Sequence, residues 1–203
     1  MNRNKERIFA ITAMILFIMQ VFVILISWII SAAEPDGNMR SLLSGDGIKW
    51  FLGNFTDNLA SPLFIWLILL SISYGTLKFS GLLEVFTKRQ NATRQEFALR
   101  IVIIEIVIFF IIMLLFTAMP HALLLSATGE IFPSSFSRSF IPCIAFSIGI
   151  FSVTYGMLSG KYNNITDIFH SFTIGLHPIS PLIFIYILTA QLYYSIRYII
   201  GIE

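Results

Sequence analysis

Residues 41–83 read SLLSGDGIKWFLGNFTDNLASPLFIWLILLSISYGTLKFSGLL, which in order is a polar turn, a short amphipathic helix, a proline break and an apolar span. Ser44 or Asp46 is placed to cap a helix start, since a short oxygen-bearing side chain there accepts from the unpaired N–H groups of the first turn. From that point Ile48, Phe51, Leu52, Phe55 and Leu59 recur at helical spacing and form one apolar stripe. Opposite fall Asn54, Asp57 and Ser61, with Asn58 at the border. A helix over about residues 46–61 is too short to cross a bilayer and too polar on one side to lie within lipid. It is therefore an interfacial helix or the inward arm of a re-entrant hairpin. Pro62 ends it, because the residue before a proline is pushed out of the helical region. The span that follows covers about residues 63–77, and within it Ser71 and Gly75 form a small-xxx-small pair suited to close helix contact.

The rest of the chain agrees with this reading. It has 203 residues, of which 57% are hydrophobic and 12% charged. A soluble domain carries about 25% charged residues, so half the usual solubilising surface is missing and the charges that remain are clustered. A first span is expected over about residues 8–30, reaching roughly 34 Å as a helix. The preceding MNRNKER and the following Ser31-Ala32-Ala33 resemble a signal peptide. The apolar core is well beyond the roughly 7–15 residues of a signal, however, so a retained anchor is expected. Glu34-Pro35-Asp36-Gly37-Asn38 is a loop on its turn chemistry. Further spans are expected over about 97–119, stopped by Pro120, then about 139–158, with Pro142 near its start, and finally about 181–200. The run Ala122-Leu123-Leu124-Leu125 is too short to cross. Ser152, Gly156 and Gly160 repeat every fourth residue as a tight packing face. Lys161, Asn163, Asn164 and Asp167 read as a polar loop, and Tyr193, Tyr194 and Tyr198 as an interfacial aromatic belt.

The expected fold is thus all-α: a single polytopic integral membrane domain of about five transmembrane helices plus one re-entrant or interfacial amphipathic helix. With the N-terminus inside, Arg3, Lys5, Arg7, Lys78, Lys88, Arg89, Arg94, Arg100 and Lys161 face the cytoplasm, and Arg40, Lys49, Arg138 and Arg197 lie outside. That asymmetry follows the positive-inside rule. It predicts a cytoplasmic N-terminus and an external C-terminus. It also accounts for the net charge of +2 with no nucleic-acid partner.

Catalytic signatures are absent from the sequence. The single Cys143 excludes an internal disulfide and a cysteine metal cluster, and reads as a small core residue. His121, His170 and His177 lie in or beside loops without HExxH or other ligand spacing, which assigns them interfacial or capping roles and no metal. There is no GxSxG, no arguable Ser–Lys pair and no phosphate-binding glycine motif, so no enzymatic activity is expected. Asn54-Phe55-Thr56, Asn91-Ala92-Thr93 and Asn164-Ile165-Thr166 match the glycosylation triplet, a pattern common by chance. Glu105 stands inside a span, where a carboxylate is costly unless it faces protein or water. It is either a proton or cation relay or a neutral carboxyl bonded to a neighbouring helix or drawn towards Arg100. The face Asn54, Asp57, Asn58 and Ser61 is either a binding site for a cation or polar solute, as broken helices provide in secondary transporters, or simply a wetted side.

Ser41-Leu42-Leu43-Ser44, Gly47-Ile48, Asn54-Phe55, Asn58, Pro62-Leu63 and Ser80-Gly81-Leu82 together resemble the early part of the AbgT family of p-aminobenzoyl-glutamate transporters. The resemblance covers about residues 8–85. It implies the fold of the N-terminal portion of such a transporter and the transport of p-aminobenzoyl-glutamate or a related small polar or anionic solute. It also implies Na+ or H+ as a coupling cation, with a homo-oligomer or partner membrane subunit completing the pathway. Family members are more than twice as long. Phe64 stands where they have glycine, Lys78 where they carry an acidic residue, and their later substrate-lining motifs have no counterpart here. The alternative reading is a non-transporting scaffold or assembly protein that keeps the packing without a complete site.

Overall fold

The computed structural model describes residues 3–34, 37, 39–87, 93–118 and 135–202. Pro35, Asp36, Asn38, Lys88, Arg89, Asn91, Pro120, His121 and the Ala122–Leu125 run lie outside the described residues. Nine α-helices and a short 3-10 turn account for nearly all that is described: α1 (Arg3–Ala33), α2 (Gly45–Gly53), α3 (Phe55–Leu59), α4 (Pro62–Ser80), α5 (Leu82–Thr87), α6 (Thr93–Ala118), α7 (Ser135–Ser159), α8 (Ile165–Ile174), the turn His177–Ile179 and α9 (Ser180–Ile200). No strand occurs among the described residues. Five helical stretches are long and apolar enough to cross a membrane: Arg3–Ala33, Pro62–Ser80, Thr93–Thr117, Arg138–Ser159 and Ile165–Ile200. The chain divides into two compact units, one of residues 1–65 with 178–203 and one of residues 66–177.

In the first unit α1 packs along α9, and the three polar interruptions of α1 each have a use. Thr12 Oγ1 donates back to the Ile8 carbonyl at 3.0 Å, which satisfies the hydroxyl within the helix. Gln20 Nε2 donates to Ser195 Oγ of α9 at 2.9 Å. Ser27, 1% exposed, accepts the Leu42 N–H at 3.1 Å and so pins the loop after α1 against the helix. Leu42, Tyr198 and Ile199 are buried together, with Val23, Ile24, Trp50 and Phe51 packed around them. Ser44 is the residue that caps α2, its Oγ accepting from Gly47 N at 3.0 Å. Gly47 is required there, because a Cβ would stand 2.2 Å from the Ser41 carbonyl oxygen.

The expected amphipathic helix over residues 46–61 is instead two helices. It breaks at Asn54, whose backbone closes α2 (φ −90°, ψ 7°) and opens α3. Its apolar stripe is divided accordingly. Phe51 packs inward, whereas Ile48, Leu52 and Phe55 are exposed. Pro62 then begins α4 as its first residue, a position where its missing N–H has no helical partner to lose.

In the second unit α6 and α7 pack on Ala98, Val102 and Tyr155, with Leu82 buried in the same cluster and Phe109 set edge-on to Phe151 at 6.1 Å. The small residues of α4 make the close approach their spacing predicts. A Cβ on Gly75 would stand 2.5 Å from Gly175 N, Ser71 Oγ donates to the Gly175 carbonyl, and Ser73 Oγ donates to Ala145 O at 2.7 Å. The row Ser152–Gly156–Gly160 serves three separate ends. Ser152 is buried, Gly156 makes room for the Tyr162 ring, and Gly160 turns the chain at φ +80° beneath Arg94. Arg94 Nε donates to Leu158 O at 2.8 Å, a cation at a helix C-terminus.

The stretch read as a polar loop after Gly160 holds α8. Asp167 accepts from Asn163 N (2.8 Å) and Asn164 N (3.2 Å), so the polar residues that gave the loop its character are the cap of a helix.

Candidate solute-binding cleft

The first unit holds a cleft of about 450 Å³ lined by Trp50, Asn54, Asp57, Asn58, Tyr194, Arg197, Tyr198 and Ile202. That volume falls in the range of about 300–1,000 Å³ usual for small-molecule sites. The break at Asn54 sets α3 against α9, so that the residues of the expected polar face meet the aromatic and basic end of α9.

The four residues of that face have different surroundings. Asn54 is exposed, and its side chain makes no capping bond although its backbone occupies both helix ends. Asp57 is exposed, and among the described residues its carboxylate has no hydrogen bond or ion pair. Asn58 is 5% exposed, and its Nδ2 donates to Gln191 Oε1 at 3.2 Å, so it borders the cleft while anchored to α9. Ser61 is not part of the cleft. Its hydroxyl shares a hydrogen bond with Tyr186 OH, which also reaches Leu59 O at 3.3 Å, and the Tyr186 ring stacks on Phe64 at 5.2 Å. Ser61 therefore helps secure the joint between α3 and α4.

The opposite wall is cationic and aromatic. The Arg197 guanidinium lies 5.9 Å and 6.0 Å from the Tyr193 and Tyr194 ring centres. Trp50 stacks on Tyr198 at 4.4 Å, with Arg40 on the Tyr198 ring at 5.6 Å. These aromatics are thus built into the cleft wall and its supports. Asp57 and Arg197 line one cleft yet do not pair with each other among the described residues.

A local comparison within the chain explains why Asp57 is unengaged. Asn54-Phe55-Thr56-Asp57, followed by Ser61-Pro62-Leu63, is matched by Asn164-Ile165-Thr166-Asp167, followed by Ser180-Pro181-Leu182. At the second copy the chain enters the helix from a loop, and Asp167 is consumed in capping it. At the first copy α2 runs directly into α3, and the Asn54 N–H is already given to Trp50 O at 2.9 Å. No cap remains for Asp57 to make.

Two further residues belong to the polar set and carry no motif. Gln191, 5% exposed, holds Asn58 through Oε1 while its Nε2 is buried without a protein partner. Gln20 bonds Ser195, one turn beyond Gln191, and its Oε1 is likewise buried without a partner. Their signal in the sequence is a carboxamide at the middle of an otherwise apolar helix, which lipid does not tolerate without a protein or water partner.

Glu105 lies elsewhere, in α6 of the second unit, half-buried with Oε2 enclosed and without a protein partner. Cys143 is half-buried and free in α7. His170 sits edge-on to Phe79 at 5.2 Å, an aromatic packing role. Among the described residues no three His, Cys, Asp or Glu side chains gather as a metal site. Comparison with protein-family models, curated proteins and solved structures found no match.

Proposed function

We propose that this chain is a polytopic integral membrane protein that binds a small, carboxylate-bearing polar solute in the cleft of Asn54, Asp57, Asn58 and Arg197. It acts as a secondary transporter or as the solute-binding subunit of one. The observation that carries this reading is a cleft of ligand size holding two opposite charges that leave each other unpaired. Asp57 is exposed and Arg197 half-buried, so each is open to a solute group of opposite charge, and the cleft leaves room for one. The exposed apolar side of α2 and α3, Ile48, Leu52 and Phe55, supports an interfacial position for these helices, with that side in lipid. On the basic-residue asymmetry the cleft opens on the outer face of the membrane. The resemblance of residues 8–85 to the p-aminobenzoyl-glutamate transporters makes that compound the first solute to try. Glu105 is the intramembrane carboxyl available to a coupling proton or Na+, and a second copy or partner subunit completes the pathway.

The test is flux into proteoliposomes containing purified full-length chain, using radiolabelled p-aminobenzoyl-glutamate alongside a panel of amino and carboxylic acids. Uptake that is lost in R197Q and D57N supports the reading. Absence of both flux and equilibrium binding for every solute refutes it. Binding without flux gives the site to a non-transporting membrane protein.

A further inference from the structure

Resting on the reading of the cleft as a solute site, we infer that its ligand class is a zwitterion: one carboxylate and one ammonium group on an apolar or aromatic body, as in a neutral amino acid. Arg197 offers a planar fork of donors, which suits a carboxylate better than any other common group. Its position over Tyr193 and Tyr194 restricts the guanidinium before a ligand arrives. Asp57 offers only acceptors and a negative charge, with nothing on α3 or α9 spending them. Asn54 adds a carboxamide beside it, able to accept from an ammonium or donate to a carboxylate. Trp50, Tyr194 and Tyr198 line the same cleft and give an apolar or aromatic body a surface to pack against.

The same geometry disfavours the other charge types. A dianion such as p-aminobenzoyl-glutamate satisfies Arg197 with one carboxylate but brings a second into a cleft that already holds Asp57. A simple carboxylate leaves Asp57 without a partner, and a simple amine leaves Arg197 without one. Like charges in one site repel, and a ligand with a single charge gains the attraction of only one of the two groups.

The experiment measures binding to the purified full-length wild-type chain in detergent by isothermal titration, with four probes of closely related body. These are L-phenylalanine, 3-phenylpropionate, phenethylamine and p-aminobenzoyl-glutamate. Phenylalanine is expected to bind at least about tenfold more tightly than the two single-charge analogues and than the dianion. D57N is expected to weaken phenylalanine about tenfold while leaving 3-phenylpropionate unchanged, and R197Q to weaken it while leaving phenethylamine unchanged. Equal or tighter binding of 3-phenylpropionate, phenethylamine or p-aminobenzoyl-glutamate overturns the zwitterion class while the solute-binding reading stands. Phenylalanine binding that is indifferent to both substitutions overturns the placement in this cleft. Failure of all four probes overturns this inference, and the solute-binding reading beneath it then stands or falls with the wider panel of amino and carboxylic acids. The wild-type comparison needs no variant to fold, so the ligand class is decided even where a substitution destabilises the chain.

Discussion

The Asn58–Gln191 pair predicts an unequal response to two apparently similar substitutions. Both side chains are 5% exposed, and one hydrogen bond of 3.2 Å joins Asn58 Nδ2 to Gln191 Oε1. Gln191 Nε2 already lacks a protein partner. Replacing Asn58 by Leu keeps the branched shape but strands the whole Gln191 carboxamide, so donor and acceptor are then both buried and unmatched. Hydrogen bonds between membrane helices are worth about 0.6 kcal/mol on average and up to about 1.7. A buried polar group left unpaired costs about 1–3 kcal/mol. N58L is therefore expected to destabilise the chain by about 1–2 kcal/mol. Replacing Gln191 by Leu orphans Asn58 Nδ2 but removes the existing orphan Nε2, and the two changes nearly cancel. Q191L should lie within about 0.5 kcal/mol of wild type, and the N58L/Q191L double variant should be no less stable than Q191L alone. Reversible unfolding by SDS in mixed micelles, followed by tryptophan fluorescence or circular dichroism, measures all three. A double-mutant cycle isolates the coupling. Q191L as costly as N58L, or a double variant less stable than either single, would refute the reasoning. Either result would mean that the pair is bonded differently or that water already satisfies Nε2.

Other perturbations have equally definite signs. Gly175→Ala places a Cβ 2.1 Å from Ser71 O and 2.9 Å from Gly75 Cα, all backbone atoms, so α8 and α4 must separate. The expected loss is about 2–4 kcal/mol from overpacking and the weakened Ser71 bond. Gly53→Ala meets nothing within 4 Å and should be neutral or stabilise by up to about 1 kcal/mol, and equal effects of the two in the same SDS titration would count against the packing. Tyr186→Phe removes the hydroxyl that joins Ser61 to Leu59 O, and should cost about 1 kcal/mol while loosening the α3–α4 joint to hydrogen exchange. Burial raises the Tyr162 phenol above its usual 10.0, with the Ser171 hydroxyl opposing the rise and Asp167 adding to it. A raised folded-state value means that stability is intact below pH 10.0 and falls as the pH climbs from there through the folded value, because the unfolded chain releases the proton first. Tyr162→Phe removes the phenol together with its approach to Ser171, and should flatten that alkaline decline while costing no more than about 1 kcal/mol at pH 7, as pH-dependent thermal melts would show.

Much of the fold was legible because lipid is an exacting solvent. Long apolar runs between clustered charges admit helices and little else, and Pro62 marks a helix boundary, standing as the first residue of α4. Small residues at four-residue spacing gave one correct contact surface, on α4, and one that fragmented, on α7. The difference is local. Gly75 meets the backbone of Gly175, whereas Gly156 and Gly160 meet side chains, Tyr162 just beyond α7 and Arg94 at the start of α6. Helix α8 is hidden in the sequence because Asn163, Asn164 and Asp167 read as plain polarity, although their three- and four-residue spacing makes them a cap. Conversely, the break at Asn54 was missed because the apolar stripe continues through it. Periodicity reports which face is apolar, and a one-residue kink hardly disturbs it.

The site was legible only as a cluster of residue types, and its composition changed once partners were known. On a helical projection Ser61 shares the face of Asn54 and Asp57, with Asn58 at its border. The Ser61 hydroxyl and the Asn58 carboxamide are taken up by Tyr186 and Gln191, which lie 125 and 133 residues away and share no motif with them. Arg197, by contrast, was counted only as one external charge, although it is the group that gives the cleft its polarity. What separates the two halves of the old polar face is hydrogen-bond supply. A helix entered from a loop needs its Asp to satisfy unpaired N–H groups, as Asp167 does; a helix entered from another helix inherits those bonds from the backbone, as Asn54 does from Trp50. The kink is therefore the cause of the free carboxylate. Straightening it should re-engage nothing and merely turn Asp57 away from Arg197, whereas lengthening the link between α2 and α3 with two or three flexible residues should make Asp57 a cap, as Asp167 is. Such an insertion is expected to leave the protein folded while removing the dependence of solute binding on Asp57. Persistence of a D57N effect in the insertion variant would show that capping and ligand binding do not compete for this side chain.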